Sequence, residues 1–276
     1  MAMVINTNMG AINATRILEG SQKEQSTAME RLTSGLRINK AADDAAGLAV
    51  ATGMTTQIMG TDMAIRNAND GTSLIQTVDG ATEEVVNMLQ RMRELSVQAL
   101  NGTYSAENRD QMDQEYQQLK TEINRVADTT KFNGQPLMNA SASNSGPIKL
   151  HVGWETDAAN KISISLINFK TQSAISAGSI GNVTAATSAI ARIDGTLSNI
   201  KTTRAKWGAL QNRLDYTVSN LANVNENMNS ARSQIQDADF ARESAQLART
   251  QVLQQAGMAM LGQANQQSQN VLSLLR

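Results

Sequence analysis

The sequence predicts a mainly α protein: a long helical coiled-coil rod carrying a small β-hairpin, with weakly amphipathic N- and C-terminal segments of matched character. Three observations point there. Apolar residues recur at alternating four- and three-residue steps over two long stretches, the mark of helices wound about a partner. One central stretch instead alternates apolar and polar residues on either side of a polar tip, as a hairpin does. Finally, the 276 residues are 41% hydrophobic but only 3% aromatic, with much of the apolar content in Ala and Met, which suits thin seams better than a thick globular centre.

At the N-terminal end, residues 1–33 carry Val4, Ile5, Met9, Ile12, Leu18, Met29 and Leu32, a weakly amphipathic set diluted by Ala, Gln and Gly. The C-terminal end, 236–276, has the same character around Leu247, Val252, Leu253, Met258, Met260, Leu261, Val271, Leu272, Leu274 and Leu275. Ordering a residue costs about 1–2 kcal/mol of backbone entropy, and burial returns about 25 cal/mol per Å². So little apolar area predicts ends that are disordered in an isolated chain and helical only against copies of themselves.

The stretch "RLTSGLRINKAADDAAGLAV" (31–50) interrupts the apolar repeat with glycines, Arg37, Lys40 and two adjacent acids. Residues 34–46 read as a non-helical or bent spoke between a terminal helix and a rod helix. Gly35 and Gly47 are expected to free the backbone, and Arg37 and Lys40 to pair with acids of a neighbouring subunit. Asp43 and Asp44 precede "AAGLAV", where acids favour the positive end of a helix over any metal or acid–base role.

From about 61 to 100, Leu74, Val78, Ala81, Val85, Met88, Met92, Leu95 and Ala99 form a heptad seam. Asn101-Gly102 breaks this helix, and Ser105 is placed to cap the next, which carries Met112, Tyr116, Leu119, Ile123 and Val126 on one face. "FNGQPLMNASASNSGP" reads as turn and loop. Ile148, Leu150, Val152 and Trp154, then Ile162, Ile164 and Leu166, make the hairpin around "ETDAANK". Residues 170–188 read as irregular. From 189 to about 235 the seam returns through Ile193, Ile200, Trp207, Leu214 and Leu221, roughly 70 Å of helix at 1.5 Å per residue. That length matches the first seam helix running antiparallel beside it, an orientation the spacing alone does not fix.

Several function classes find no support. The 24 basic and 25 acidic residues alternate without a basic block, so neither nucleic acid nor a lipid surface is an expected partner. Without cysteine there is no disulfide framework or thiolate metal site. His151, the only histidine, is expected to be exposed on the hairpin face opposite Leu150, Val152 and Trp154. No catalytic, metal or cofactor residue is expected. The N-terminus lacks a basic region followed by an apolar core, and no run of about 18 apolar residues suggests membrane insertion; the expectation is a cytosolic protein or export by a route that cleaves nothing.

"INTN", "RLTSGLRINKAADDAAGLAV", "IRNANDGTSLIQTVDGA", "LQRMRELSVQA", "FNG" at 132–134 and the closing "LQQAGMAMLGQANQQSQNVLSLLR" occur in an order that closely resembles bacterial flagellin. The resemblance covers both ends and most of the sequence between, in a short form with only about 20 residues where large outer variable domains often lie. It implies a phase 1 flagellin-like fold with a long antiparallel helical coiled-coil rod. Residues 1–44 with 236–276 would form a terminal coiled-coil domain lining the filament channel. Residues 45–140 with 189–235 would form the rod domain, and 141–188 its hairpin and short variable loop. The spoke would join inner and outer tubes through Gly35, Arg37, Lys40, Asp43, Asp44 and Gly47.

The same resemblance implies a secreted, extracellular subunit exported unfolded by the flagellar type III apparatus and polymerised with its own kind. Its implied partners are an export chaperone on the C-terminal segment, the filament cap and hook-associated proteins, host Toll-like receptor 5 and inflammasome sensors. Gln90, Arg91, Leu95 and Glu115 would be read by the receptor, although the heptad also claims Leu95 for the seam. Val271, Leu272, Leu274 and Leu275 would serve inflammasome sensing and filament-core packing. A hook–filament junction protein is the alternative within the same machinery; a chemoreceptor-type signalling coiled coil would lack the hairpin.

Overall fold

The computed structural model describes residues 7–139, 147–172 and 178–273. Among the described residues five long helices dominate: α1 (Met9–Ser34), α2 (Ala45–Ala99), α3 (Ala106–Thr129), α4 (Val183–Gln236) and α5 (Phe240–Ser273). The described elements also include two small antiparallel sheets, β1 (Lys131–Phe132) with β2 (Gln135–Pro136) and β3 (Ile148–His151) with β4 (Lys161–Ile164), and two single-turn 3-10 helices, Ala158–Asn160 and Phe169–Thr171. The chain divides into two compact units, Met1–Thr56 with Asn227–Arg276 and Gln57–Glu226.

Within the unit Gln57–Glu226, α2 and α4 run antiparallel. Asp62 meets Asn225, Asp79 meets Arg204 and Arg93 meets Asp194, so partners fall along α4 as they rise along α2. The heptad residues face inward as the spacing predicts: Leu74, Val78, Val85, Met92, Leu95 and Ala99 are buried against Met112, Tyr116 and Ile123 of α3 and Ile193, Ile200, Trp207 and Leu214 of α4. Helix α3 folds back after the Asn101-Gly102 break. The Ser105 hydroxyl accepts the Asn108 N–H at 3.2 Å, and Arg109 Nε donates to the Ala99 carbonyl at 2.9 Å.

The β3–β4 hairpin pairs Ile148 with Ile164 and Leu150 with Ile162. It lies on α2 where that helix lacks side chains. A Cβ on Gly71 would fall 2.1 Å from Leu150 Cδ1, and one on Gly60 would fall 2.7 Å from Trp154 Cβ. Between them, the Asn67 amide donates to the His151 carbonyl at 2.9 Å, and from α4 Trp207 Nε1 donates to the Ser165 carbonyl at 2.9 Å.

Three elements differ from the sequence reading. Helix α2 begins at Ala45 instead of near 61, because Ala51, Ile58, Thr61, Ala64 and Ala68 carry its buried face and one large apolar residue among small ones gives little apolar periodicity. Helix α4 begins at Val183, capped by Asn182, whose side-chain oxygen accepts the Ala185 N–H at 2.7 Å; residues 183–188 are therefore helical. Inside the stretch read as loop, Asn133 (φ 49°) and Gly134 (φ 79°) make a two-residue turn joining β1 and β2, the geometry favoured by hairpin twist. The remaining loop expectations at 140–146 and 173–177 lie outside the described residues.

In the other unit, α1 and α5 pack on each other antiparallel. Arg31 pairs with Glu243 at 3.0 Å, Gln246 donates to Glu24 at 3.1 Å and Asn8 donates to the Ala264 carbonyl at 3.1 Å. In this structure α1 and α5 are helical on each other within one chain. Their burial is what stays incomplete. Of α1 only Ser21 and Ala28 are buried, whereas Met9, Ile12, Ile17 and Met29, with Val252, Leu253, Met258 and Met260 of α5, remain exposed.

Candidate functional site

The joint between α1 and α2 is built as a closed turn. Gly35 takes a left-handed conformation (φ 72°) and its N–H donates to the Arg31 carbonyl at 2.9 Å, ending α1. Leu36 then bridges Asp237 in the joint between α4 and α5. The Arg37 N–H donates to the Gln236 carbonyl at 2.7 Å, and the Ala238 N–H to the Gly35 carbonyl at 2.9 Å. The two joints are therefore stitched side by side. Sequence reasoning identified only the first; the short "DAD" of the second gave no signal beyond Asp239, whose carboxylate caps α5 by accepting the Ala241 N–H at 2.9 Å.

Ile38, 1% exposed, anchors this segment. The two acids divide their work. Asp44 caps α2, accepting the Gly47 N–H at 2.8 Å. Asp43 does not serve that helix end; its carboxylate turns back to accept the N–H groups of Lys40 and Asn39, at 2.9 and 3.0 Å. Those bonds, Lys40 first, hold its pKa below the ordinary value. Gly47 also differs from expectation. It lies in the first turn of α2, where a Cβ would fall 2.4 Å from Asp44 Oδ2 and 2.7 Å from Ile38 Cδ1, so it provides room and not freedom. Arg37 and Lys40, expected to reach a neighbouring subunit, have partners in the same molecule: Arg37 donates to the Ile235 carbonyl, and Lys40 pairs with Glu30 at 2.7 Å, which raises its pKa.

On the α2–α3 face, Gln90, Arg91 and Glu115 are exposed together. Arg91 Nε donates to Glu115 at 2.9 Å and Nη1 to Glu94 at 3.1 Å, and these bonds, Glu115 first, raise the guanidinium pKa. Glu94 was missed, though its place three residues after Arg91 was a readable signal. Leu95 is 2% exposed and belongs to the core, because the heptad turns it inward; it is not part of this surface. Val271 and Leu272 fall within α5, and Leu274 and Leu275 lie outside the described residues. His151 is half-buried in β3. Among the described residues no cluster of three or more His, Cys, Asp or Glu could hold a metal, and no helix is long and apolar enough to cross a membrane.

Helical ends that pair while leaving apolar side chains bare, and a helical bundle that carries the β3–β4 hairpin, are the features that comparison with known proteins must explain. Residues 5–143 match the bacterial flagellin N-terminal helical region, and residues 190–275 match the bacterial flagellin C-terminal helical region. The chain belongs to the bacterial flagellin family. This flagellin is 45% identical over 275 residues to a flagellin of Halalkalibacterium halodurans, covering 99% of this sequence and all of that one. It is 39% identical over 289 residues to the flagellar filament 33 kDa core protein of Treponema phagedenis, covering 99% of this sequence and all of the relative. Among solved structures, the crystal structure of Bacillus cereus flagellin superposes with a TM-score of 0.50 at 34% identity, covering 56% of this protein and 88% of that one.

Proposed function

We propose that this flagellin acts as a subunit whose terminal helices complete their burial on neighbouring copies, so that joining the filament finishes the fold. The protein is a structural subunit that polymerises with other flagellin subunits into the extracellular filament of the bacterial flagellum. The observation carrying the assembly mechanism is the bare apolar surface of α1 and α5, where Met9, Met29, Met258 and Met260 are 57–65% exposed. Covering such surface returns about 25 cal/mol per Å², and mass action makes the stability of the ends depend on subunit concentration.

Around that mechanism the family resemblance supports a consistent set of roles. Residues 1–44 with 236–276 line the channel, 45–140 with 189–235 form the outer helical domain, and 141–188 supply the hairpin and short loop. The stitched joint at Gly35–Gly47 connects the two. The protein is secreted through the flagellar export apparatus with a chaperone on its C-terminal segment, and is added beneath the cap. Gln90, Arg91 and Glu115 form the surface for Toll-like receptor 5, while Val271, Leu272, Leu274 and Leu275 serve filament packing and inflammasome sensing. No enzymatic role is assigned.

Seeded polymerisation tests the mechanism. Full-length monomer added to sheared filament fragments should extend them into long filaments seen by electron microscopy, and a variant lacking 1–33 and 236–276 should not. Equal growth by the truncated variant would reject burial of the ends as the driving step. Failure of the full-length protein to grow beyond short caps would favour the hook–filament junction alternative.

A further inference from the structure

We propose that Asn101–Gly102, in the turn between α2 and α3, is a site of spontaneous deamidation, and that the fold withholds the protein's other Asn–Gly pair, Asn133–Gly134, from the same reaction. The two pairs have the same local sequence chemistry and different geometry.

In the reaction, solvent base takes the proton from the glycine N–H and that nitrogen attacks the carboxamide carbon of the Asn. The new C–N bond closes a succinimide ring as the carboxamide C–N bond breaks and ammonia leaves. Water then adds to either ring carbonyl and opens the ring, giving Asp or an isoaspartyl linkage. The net change is hydrolysis of one amide, with no oxidant or reductant.

The geometry at residue 101 favours each step. The Asn101 side-chain oxygen accepts the Thr103 N–H at 3.2 Å, closing an Asx turn around Gly102. That ring folds the carboxamide back over the Gly102 peptide, and the hydrogen bond draws electron density from the carbon to be attacked. The Gly102 N–H donates to no partner among the described residues. Both residues are exposed, and no heavy atom lies within 4 Å of where a Gly102 Cβ would be, so water can reach the ring; the peptide carbonyl of Asn101 is held by hydrogen bonds alone, from Arg109 Nη2 at 3.1 Å and the Tyr104 N–H at 3.4 Å.

Asn133 and Gly134 are exposed too, with no heavy atom within 4 Å of where a Gly134 Cβ would be, and the difference lies in how the backbone is held. Asn133 and Gly134 are fixed at φ 49° and 79° in a two-residue turn, with Phe132 paired to Gln135 and Lys131 to Pro136. Just beyond, Leu137 and Met138 are buried at 1% and 0% exposure, and the Leu137 N–H donates to the Thr130 carbonyl at 3.1 Å. Rotating the Gly134 nitrogen onto the Asn133 side chain would have to undo that hairpin.

The consequence at residue 101 is local and directional. An isoaspartyl linkage routes the backbone through the former side chain and adds an atom to the turn. It displaces the Asn101 carbonyl that accepts Arg109 Nη2 at 3.1 Å, one of two bonds by which Arg109 ties α3 to the end of α2. The reaction belongs to the single folded molecule and needs no second copy.

Aging the folded full-length protein in mildly alkaline buffer, followed by peptide mass mapping and labelling with isoaspartyl methyltransferase, tests this. In denaturant the two pairs should deamidate at similar rates. In the folded protein Asn101 should convert about tenfold or more faster than Asn133, since only one pair can reach a near-attack arrangement. Gly102→Ala, which meets no neighbour, should fold normally and suppress conversion at 101. Equal rates at 101 and 133 in the folded state, or faster loss at 133, would overturn the proposal.

Discussion

Arg204 of α4 and Asp79 of α2 form a two-pronged ion pair, Nε to Oδ1 at 2.6 Å and Nη2 to Oδ2 at 3.0 Å, with Glu83 3.7 Å away. The fork fixes both rotation and register of the two antiparallel helices, which a point charge cannot do. Both side chains are about one-third exposed, so solvent screening keeps the gain small. Arg204→Lys should lower stability by about 0.5–1 kcal/mol, and a double-mutant cycle with Asp79→Asn should give a coupling of similar size that shrinks in high salt. A coupling of zero at low salt would show that the apolar seam alone sets the register.

Two glycines of α2 should respond differently to alanine. At Gly80 no atom lies within 4 Å of the added Cβ, and the helix gains about 0.8–1 kcal/mol of intrinsic propensity. At Gly60 the Cβ would meet Trp154 Cβ at 2.7 Å and Trp154 Cα at 3.4 Å, atoms that move only with the hairpin backbone. Overpacking of this kind costs about 1–3 kcal/mol, which offsets the propensity gain or exceeds it. Thermal melts of the two variants check the contrast. If Gly60→Ala raised the melting temperature as much as Gly80→Ala, close docking of the hairpin on α2 would be wrong.

These glycines show what the sequence could and could not reveal. The seam from Leu74 to Ala99 was legible because large apolar side chains announce their period, and the hairpin because Ile148, Leu150, Ile162 and Ile164 alternate. The first part of α2 was not, because its buried positions are Ala51, Ile58, Thr61, Ala64 and Ala68, and a single large apolar side chain among small ones announces no period. At the candidate surfaces, Arg91 and Glu115 were legible through motif resemblance, and the structure brings them into contact. The stitching of Leu36 to Asp237 was not, because a backbone pairing between residues so far apart in sequence leaves no signature in residue type.

The joint should loosen in acid. Hydrogen bonds from the Lys40 and Asn39 N–H groups hold the Asp43 pKa below its ordinary value of 3.8. A carboxylate with a lowered folded pKa contributes its stabilisation fully above the unfolded pKa and loses it as pH falls through the folded one. The amide resonances of Asn39 and Lys40 should therefore titrate together below pH 3.8, and Asp43→Asn should abolish that dependence while leaving the Asp44 cap of α2 intact. Amides that stay fixed throughout the acid titration of the native protein would refute the assigned contacts.

Leu95 and Arg91 lie one helical turn apart on α2 and should separate folding from recognition. Leu95 is buried, so Leu95→Ala removes core packing and should cost about 2–5 kcal/mol, read as a lower melting temperature. Arg91 and Glu115 have side chains 49% and 46% exposed, and their pair adds little to stability by the usual measure of exposed ion pairs. Arg91→Ala with Glu115→Ala should therefore leave the melt nearly unchanged and abolish Toll-like receptor 5 signalling by soluble monomer. Signalling by Leu95→Ala should fall only where the protein is unfolded, because its side chain presents no surface. Normal signalling by the Arg91/Glu115 double variant would remove that face from the receptor site. Loss of signalling by a fully folded Leu95→Ala would mean that receptor binding draws the residue out of the core.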